Sequence, residues 1–92
     1  MLRLYPASGH PNGLEMDPWF FLQGDRLFPD LGHPTGKSPQ AWFRLREGLV
    51  YPDEGLSQWP RDIAWFRLQD SRLYPEPGHP DGPATEPWYV LR

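Results

Sequence analysis

A 23-residue period runs through the whole chain and constrains its fold more than any other feature. Each period repeats a Trp, a Leu, a Gly and an aromatic–proline pair in one register. The four columns are Trp19, Trp42, Trp65 and Trp88; Leu22, Leu45, Leu68 and Leu91; Gly9, Gly32, Gly55 and Gly78; and Tyr5, Phe28, Tyr51 and Tyr74, each followed by Pro. A unit this short cannot bury an apolar face alone, so the four units have to pack against one another.

Each period contains two strand-like segments joined by a two-residue turn. In the first hairpin, residues 19–23 meet residues 26–29 across Gly24 and Asp25, and a Gly in the first turn position suits a type II′ turn. Glu47-Gly48 and Asp70-Ser71 take the same place in the next two units. A two-residue turn fixes the register, so we expect Leu22 to face Leu27.

Alternation along the strands places the side chains on two faces. One face is apolar in every repeat and is the predicted core: Phe20, Phe43, Phe66, Tyr89, Leu22, Leu45, Leu68, Leu91, Leu4, Leu27, Val50, Leu73, Pro6, Pro29, Pro52 and Pro75. The other face carries the Trp column, the aromatic column that starts at Tyr5, and most of the arginines. Every Asp and Glu lies outside the predicted strands, so a net charge of −3 conceals basic strands and acidic loops.

The repeating frame closes on itself, because four periods of 23 residues account for all 92. The first strand lacks a partner before it and the last lacks one after it; pairing them removes two open edges. We therefore predict an all-β fold of four 23-residue β-hairpin repeats closing into a pseudo-four-fold ring, with the N- and C-terminal strands paired. Residues 1–92 form a single domain, with repeats of about 3–25, 26–48, 49–71 and 72–92.

In plan, this arrangement resembles the four-hairpin β-flower or pinwheel domains. The resemblance covers the whole chain but rests on architecture alone, so it implies no function. The period is also similar to that of MORN hairpin arrays, whose glycine and tyrosine pattern this chain lacks.

His10, His33 and His79 share one column, each within Gly-His-Pro. Three imidazoles brought together by a ring could bind Zn²⁺ or Ni²⁺. The third repeat has Leu56 in this column and loses His, Pro and Gly together, which favours a turn over a ligand set. The chain also contains no Cys. We therefore predict no metal and no cofactor.

The sequence contains no Gly-x-Ser-x-Gly, phosphate loop or dinucleotide-binding fingerprint, and its carboxylate pairs have no partnered nucleophile or base. We therefore predict that the protein is not an enzyme. It has no run of 18 apolar residues and its first residues do not form a signal peptide, so we expect a soluble, cytoplasmic protein without membrane contact.

Two sets of residues are candidates for binding. The predicted outer face combines aromatic rings with guanidinium groups, which suits anions or bases unless the groups stack on one another; its candidates are Trp42, Trp65, Arg44, Arg67, Tyr51 and Tyr74. The third repeat departs from the pattern at Leu49 and Trp59, and an exposed loop Trp is a common binding anchor.

These features favour a non-enzymatic binding or structural module that acts through the aromatic–arginine face or the loop rim. A lectin-like or small-ligand-binding ring with one site per repeat is the alternative, and a nucleic-acid-associated protein is a further one. We expect a protein or small ligand as the partner, and nucleic acid is disfavoured.

Overall fold

A computed structural model describes residues 2–92, in which antiparallel β-strands form one closed barrel. The described strands are β1 (Arg3–Pro6), β2 (Phe20–Gln23), β3 (Arg26–Pro29), β4 (Phe43–Arg46), β5 (Leu49–Pro52), β6 (Phe66–Gln69), β7 (Arg72–Pro75) and β8 (Tyr89–Leu91). They pair in chain order, and β8 closes the barrel against β1 with Leu4 opposite Leu91. The predicted all-β ring with paired terminal strands is confirmed.

The hairpin turns have the predicted register, with Leu22 opposite Leu27. Gly24 has a φ of 64° while Asp25 stays outside the positive region, which is the φ pattern of a type II′ turn. The other two turns have positive φ at both central residues, as type I′ turns require; the angles are 53° at Glu47, 80° at Gly48, 52° at Asp70 and 62° at Ser71.

The core lies on the barrel axis and is built from one buried aromatic ring per repeat. Phe20, Phe43, Phe66 and Tyr89 pack edge to face around the axis, with neighbouring centroids 5.5–5.8 Å apart. A buried aliphatic residue pairs with each ring across the strands: Leu4 with Phe20, Leu27 with Phe43, Val50 with Phe66, and Leu73 with Tyr89. Edge-to-face rings add stabilisation beyond the area that they bury.

The second leucine of each repeat is less buried than its strand position predicts. Leu22, Leu45, Leu68 and Leu91 are all half-buried, and with the four aliphatic residues of the core they line a small apolar pit at the hairpin-turn end. The pit holds about 10 Å³, which is room for about one water molecule. These four leucines lie on the predicted core face and pack against the buried core, but they are only partly buried because two-residue turns are too short to fold over this end of the barrel.

The opposite end is covered by the long loops, which contact the preceding repeat through a repeated set of backbone hydrogen bonds. The Asp30 N–H donates to the carbonyl of Trp19 at 2.7 Å, and the Gly32 N–H donates to that of Pro18 at 2.9 Å. A Cβ atom on Gly32 would lie 2.6 Å from the same Pro18 oxygen. The close approach of two backbones therefore requires glycine at Gly9, Gly32 and Gly78, whereas a Cβ atom on Gly55 would first meet the ring of Trp42.

Candidate functional site

The histidine column is buried beneath these loops, where each imidazole lies between two indoles of the Trp column. The ring centroids are 4.4 and 5.5 Å from His10 to Trp19 and Trp88, 5.2 and 4.5 Å from His33 to Trp19 and Trp42, and 4.9 and 4.6 Å from His79 to Trp65 and Trp88.

Each imidazole accepts a hydrogen bond at Nδ1 from the backbone N–H two residues further along. The distances are 3.1 Å for His10, 3.2 Å for His33 and 3.0 Å for His79. An Nδ1 that accepts leaves the proton of a neutral ring on Nε2. Burial lowers the pKa of all three histidines, that of His10 to about 4. Among residues 2–92 no three His, Cys, Asp or Glu side chains are close enough together to hold a metal ion.

The third loop keeps the backbone of the other loops although its sequence differs. The Leu56 N–H donates to Asp53 at 2.8 Å and the Trp59 N–H donates to Leu56 at 2.9 Å, as in the His-containing loops. Leu56 is buried in the place of the fourth histidine. Trp59 packs edge to face on Trp65 at 5.3 Å and stays 37% exposed. Trp59 therefore combines a contact with its own repeat and a surface open to solvent.

The structure separates two predicted site residues, Trp42 and Trp65, from the arginines of the outer face. The ring of Trp42 contacts His33 and Phe20, and that of Trp65 contacts His79. Each indole lies at the residue before its strand begins, so the pleat of the sheet does not direct it and it turns inward beneath the neighbouring loop.

The other predicted outer-face residues do lie together on the barrel wall. Arg67 is opposite Tyr74, with its guanidinium 4.7 Å from the ring centroid. This pair fits the alternative in which the aromatic and guanidinium groups of the outer face stack on one another. Arg44 is opposite Tyr51, but its Nη2 lies 3.8 Å from a carboxylate oxygen of Asp53.

A column of loop carboxylates neutralises part of this arginine surface. Asp30 and Asp53 are buried and accept from the Nε of Arg3 and Arg26, at 3.3 and 3.0 Å. Each of these arginines precedes its carboxylate by 27 residues. By this rule Glu76 would pair with position 49, where Leu49 stands instead, and Glu76 accepts from Arg67 at 3.2 Å. The departure at Leu49 thus redirects one ion pair.

Asp53 is the centre of a larger cluster. Its Oδ2 contacts Arg26 and Arg44, while its Oδ1 accepts the N–H of Glu54 at 2.8 Å and lies 3.5 Å from an Nη of Arg61. Burial alone would raise the pKa of Asp53, but the hydrogen bonds from Arg26 and Glu54 and the arginine charges outweigh it. The net pKa therefore lies below its usual value, and the carboxylate stays ionised at neutral pH.

An open pocket beside this carboxylate is the candidate binding site, here called the arginine pocket. It is lined by Arg44, Arg46, Tyr51, Pro52, Asp53 and Arg61 and holds about 40 Å³, which is room for about three water molecules. Three guanidinium charges against one carboxylate leave two positive charges on the lining. The neighbouring Arg26 and Glu54 pair with each other at 3.3 Å and do not change this balance.

The equivalent positions of the other repeats do not form such a cluster. Arg44 corresponds to Phe21, Arg67 and Val90; Arg46 to Gln23, Gln69 and Arg92; and Arg61 to Glu15, Ser38 and Ala84. Each of these three equivalent sets, which span two adjacent repeats as the pocket does, has one Arg or none. The barrel is therefore four-fold in its core but has one strongly basic side.

Sequence reasoning identified Arg44 and Tyr51 but missed Arg46, Asp53 and Arg61. The signal for Arg61 was its place in the same loop as Trp59, since its own column holds four different residues. Asp53 gave no such signal, since its column contains acids in two other repeats and its role depends on burial. Leu49 lies at the edge of the site, opposite Arg46 on one side and Arg67 on the other.

No family model, curated protein or solved structure matches this chain. The resemblance to β-flower or pinwheel domains therefore stays a prediction. Among residues 2–92, no helix has the length and apolar character needed to cross a membrane.

Proposed function

We propose that the protein is a non-enzymatic binding module whose contact surface is the arginine pocket, extended by Trp59 on the same loop as Arg61. The observation that carries this proposal is the concentration of three arginines around one buried carboxylate, on one side of an otherwise repetitive barrel. Since the lining has two net positive charges, the partner presents an acidic group.

The residues of the pocket support binding better than catalysis. Asp53 is held by arginines, so it has no free lone pair aimed at a substrate proton as a general base requires. A lectin-like ring would repeat its site, whereas each set of positions equivalent to Arg44, Arg46 and Arg61 contains one Arg or none. We propose a protein or small ligand as the partner and a cytoplasmic location.

Poly-L-glutamate is a suitable acidic probe, with binding followed by calorimetry at low and moderate salt. Arg61→Ser introduces the residue found at Ser38, and we expect it to weaken binding about tenfold, or roughly 1.4 kcal/mol. Arg67→Gln, at the position equivalent to Arg44 one repeat later, is the control and should retain binding within about twofold. Equal losses in the two variants would show diffuse charge attraction and reject the proposed site.

Trp59→Gly tests the contribution of the loop aromatic. We expect a melting temperature within a few degrees of the parent protein, because the indole is partly exposed, and affinity for the acidic partner reduced about tenfold. A large fall in melting temperature with unchanged affinity would limit Trp59 to packing on Trp65.

A further inference from the structure

The arginine pocket has the charge of a receptor for a dianion. Arg44, Arg46 and Arg61 carry three positive charges, and Asp53 stays ionised because its pKa lies below its usual value. A phosphate monoester carries about 1.5 to 2 negative charges at pH 7, which matches the two charges left over, whereas a carboxylate or a phosphodiester carries one. The charge balance therefore favours a phosphate monoester over either monoanion.

The guanidinium groups also have hydrogen-bond donors to spare. Arg44 and Arg61 each approach Asp53 through a single Nη, at 3.8 and 3.5 Å, and their side chains are 48% and 57% exposed. Arg46 takes part in none of the ion pairs seen within residues 2–92. Since a guanidinium group has five N–H donors, most of them remain free to grip the oxygens of an anion.

Asp53 positions these groups before any ligand arrives. Its side chain is 2% exposed, and the Glu54 N–H and the Arg26 Nε fix both of its oxygens. Arg44 lies near one oxygen of this fixed carboxylate and Arg61 near the other, and Tyr51 lines the same pocket. Holding the groups in place lowers the entropy cost of binding.

We infer that the arginine pocket binds a phosphate dianion, either free hydrogen phosphate or the phosphoryl group of a phosphorylated side chain. The inference rests on the proposed function and specifies its ligand. Arg44, Arg46 and Arg61 bind the phosphoryl oxygens, and Tyr51 contributes its hydroxyl.

The test titrates the full chain with inorganic phosphate, phosphoserine peptide and dimethyl phosphate, following the arginine Nε–H resonances by NMR. We expect both dianions to shift Arg44 and Arg61 and the monoanion to bind at least about fivefold more weakly. The affinity of the phosphoserine peptide should fall several-fold between pH 7.5 and 5, since the second pKa of its phosphate is about 6, whereas sulfate affinity should stay constant. A peptide that binds at least about tenfold more tightly than free phosphate identifies a phosphorylated protein as the source; equal affinities identify the free ion.

The repeat supplies the matched variants. Arg61→Ser and Arg46→Gln should each weaken phosphate binding about tenfold, while Arg92→Gln, at the position equivalent to Arg46, should change it less than twofold. Equal loss in Arg46→Gln and Arg92→Gln would overturn the inference, and so would dimethyl phosphate or single-stranded oligonucleotide binding as tightly as the dianions. Poly-L-glutamate binding that depends on Arg61, without phosphate binding, would overturn the inference and leave the proposed function standing.

Discussion

The Nε2 of His10 lies 3.2 Å from the hydroxyl of Tyr89 and joins the first loop to the last strand across 79 positions of sequence. Because His10 Nδ1 accepts a hydrogen bond from the Asn12 N–H, the ring proton is on Nε2, which donates a hydrogen bond to the Tyr89 oxygen. In the other His-containing repeats the imidazole contacts a Phe, with His33 on Phe20 and His79 on Phe66. Tyr89, the one Tyr in the column of Phe20, Phe43 and Phe66, thus accepts a hydrogen bond from the histidine of the loop where the barrel closes.

Tyr89→Phe should destabilise the protein by about 1–3 kcal/mol, because it leaves a buried Nε2–H without its acceptor. Urea unfolding monitored by Trp fluorescence measures the change. The double variant His10→Leu/Tyr89→Phe introduces the residue types found at the equivalent pair, Leu56 and Phe43, and removes donor and acceptor together. Its cost should be smaller than the sum of the two single variants by at least about 0.5 kcal/mol; additive costs would mean that the hydrogen bond contributes nothing.

Stability should fall as the pH decreases from 6.5 to 4. Burial lowers the pKa of His10 to about 4, so in this range the unfolded chain binds a proton that the folded protein excludes. The stability is fully present above the unfolded pKa of 6.5, and the His10 effect reaches roughly 3 kcal/mol below pH 4. His33 and His79 shift in the same direction.

Unfolding in urea at pH 7.5, 6.0, 5.0 and 4.5 would measure this loss. The pKa of Asp53 lies below its usual value, so its titration falls outside the range. His33→Leu, which introduces the residue found at Leu56, should reduce the slope of stability against pH. A variant with the parental slope would show that the buried histidine does not cause the acid sensitivity.

The type I′ turns contain residues that this conformation disfavours. Glu47 has a φ of 53°, and Glu47→Asn would create Asn-Gly, the preferred pair for this turn. We expect it to stabilise the protein by about 0.5–1 kcal/mol. Ser71→Gly, with φ at 62°, should act likewise. The control is Asp25→Gly, where φ is not positive, so thermal unfolding should show no gain or a small loss.

Two leucines that face each other across the sheet should differ in their contribution to stability. Leu73 is 3% exposed, while its cross-strand neighbour Leu68 is half-buried at the rim of the apolar pit. Leu73→Ala should cost about 2–5 kcal/mol and Leu68→Ala about half as much, because a rim residue already contacts water. Equal costs in urea unfolding would show that the pit is closed in solution.

The fold could be predicted from the sequence because all four repeats contain the same pattern of apolar, glycine and proline positions. The register followed from the aromatic–proline column and the two-residue turns. The pairing of Leu4 with Leu91 followed from the match between four periods and the chain length. The half-burial of Leu68 did not follow, since alternation assigns a face but not the depth of a barrel made of four-residue strands. Trp42 was misplaced for a related reason, because alternation ends where the strand begins.

The arginine pocket could be predicted only in part. Arg44 and Tyr51 face each other across a hairpin, which the register determines. Arg61 reaches Asp53 from the far side of a loop, and no strand periodicity specifies that path. Burial of Asp53 and its contacts with several arginines depend on tertiary packing, which a repeat column does not encode.

Closure of the barrel by the chain ends predicts that the protein tolerates circular permutation. Arg3 and Arg92 exchange two backbone hydrogen bonds of 2.9 Å, so they flank the junction as Gln23 and Arg26 flank the Gly24-Asp25 turn. Joining residue 92 to residue 1 and opening the chain between Gly24 and Asp25 should retain every strand pair.

We expect this permutant to show the same circular dichroism spectrum and a stability within about 1–2 kcal/mol of the parent, since closing one short loop and opening another of equal length nearly cancels in chain entropy. The matched control opens the chain between Leu27 and Phe28, in the middle of β3, and breaks the ladder that Leu27 forms with Leu22 and Phe43. It should be several kcal/mol less stable or unfolded, because a free end inside a four-residue strand leaves too few paired residues on either side. If the permutant opened between Gly24 and Asp25 also fails to fold, the four hairpins are not equivalent. The barrel then depends on an intact β2–β3 turn.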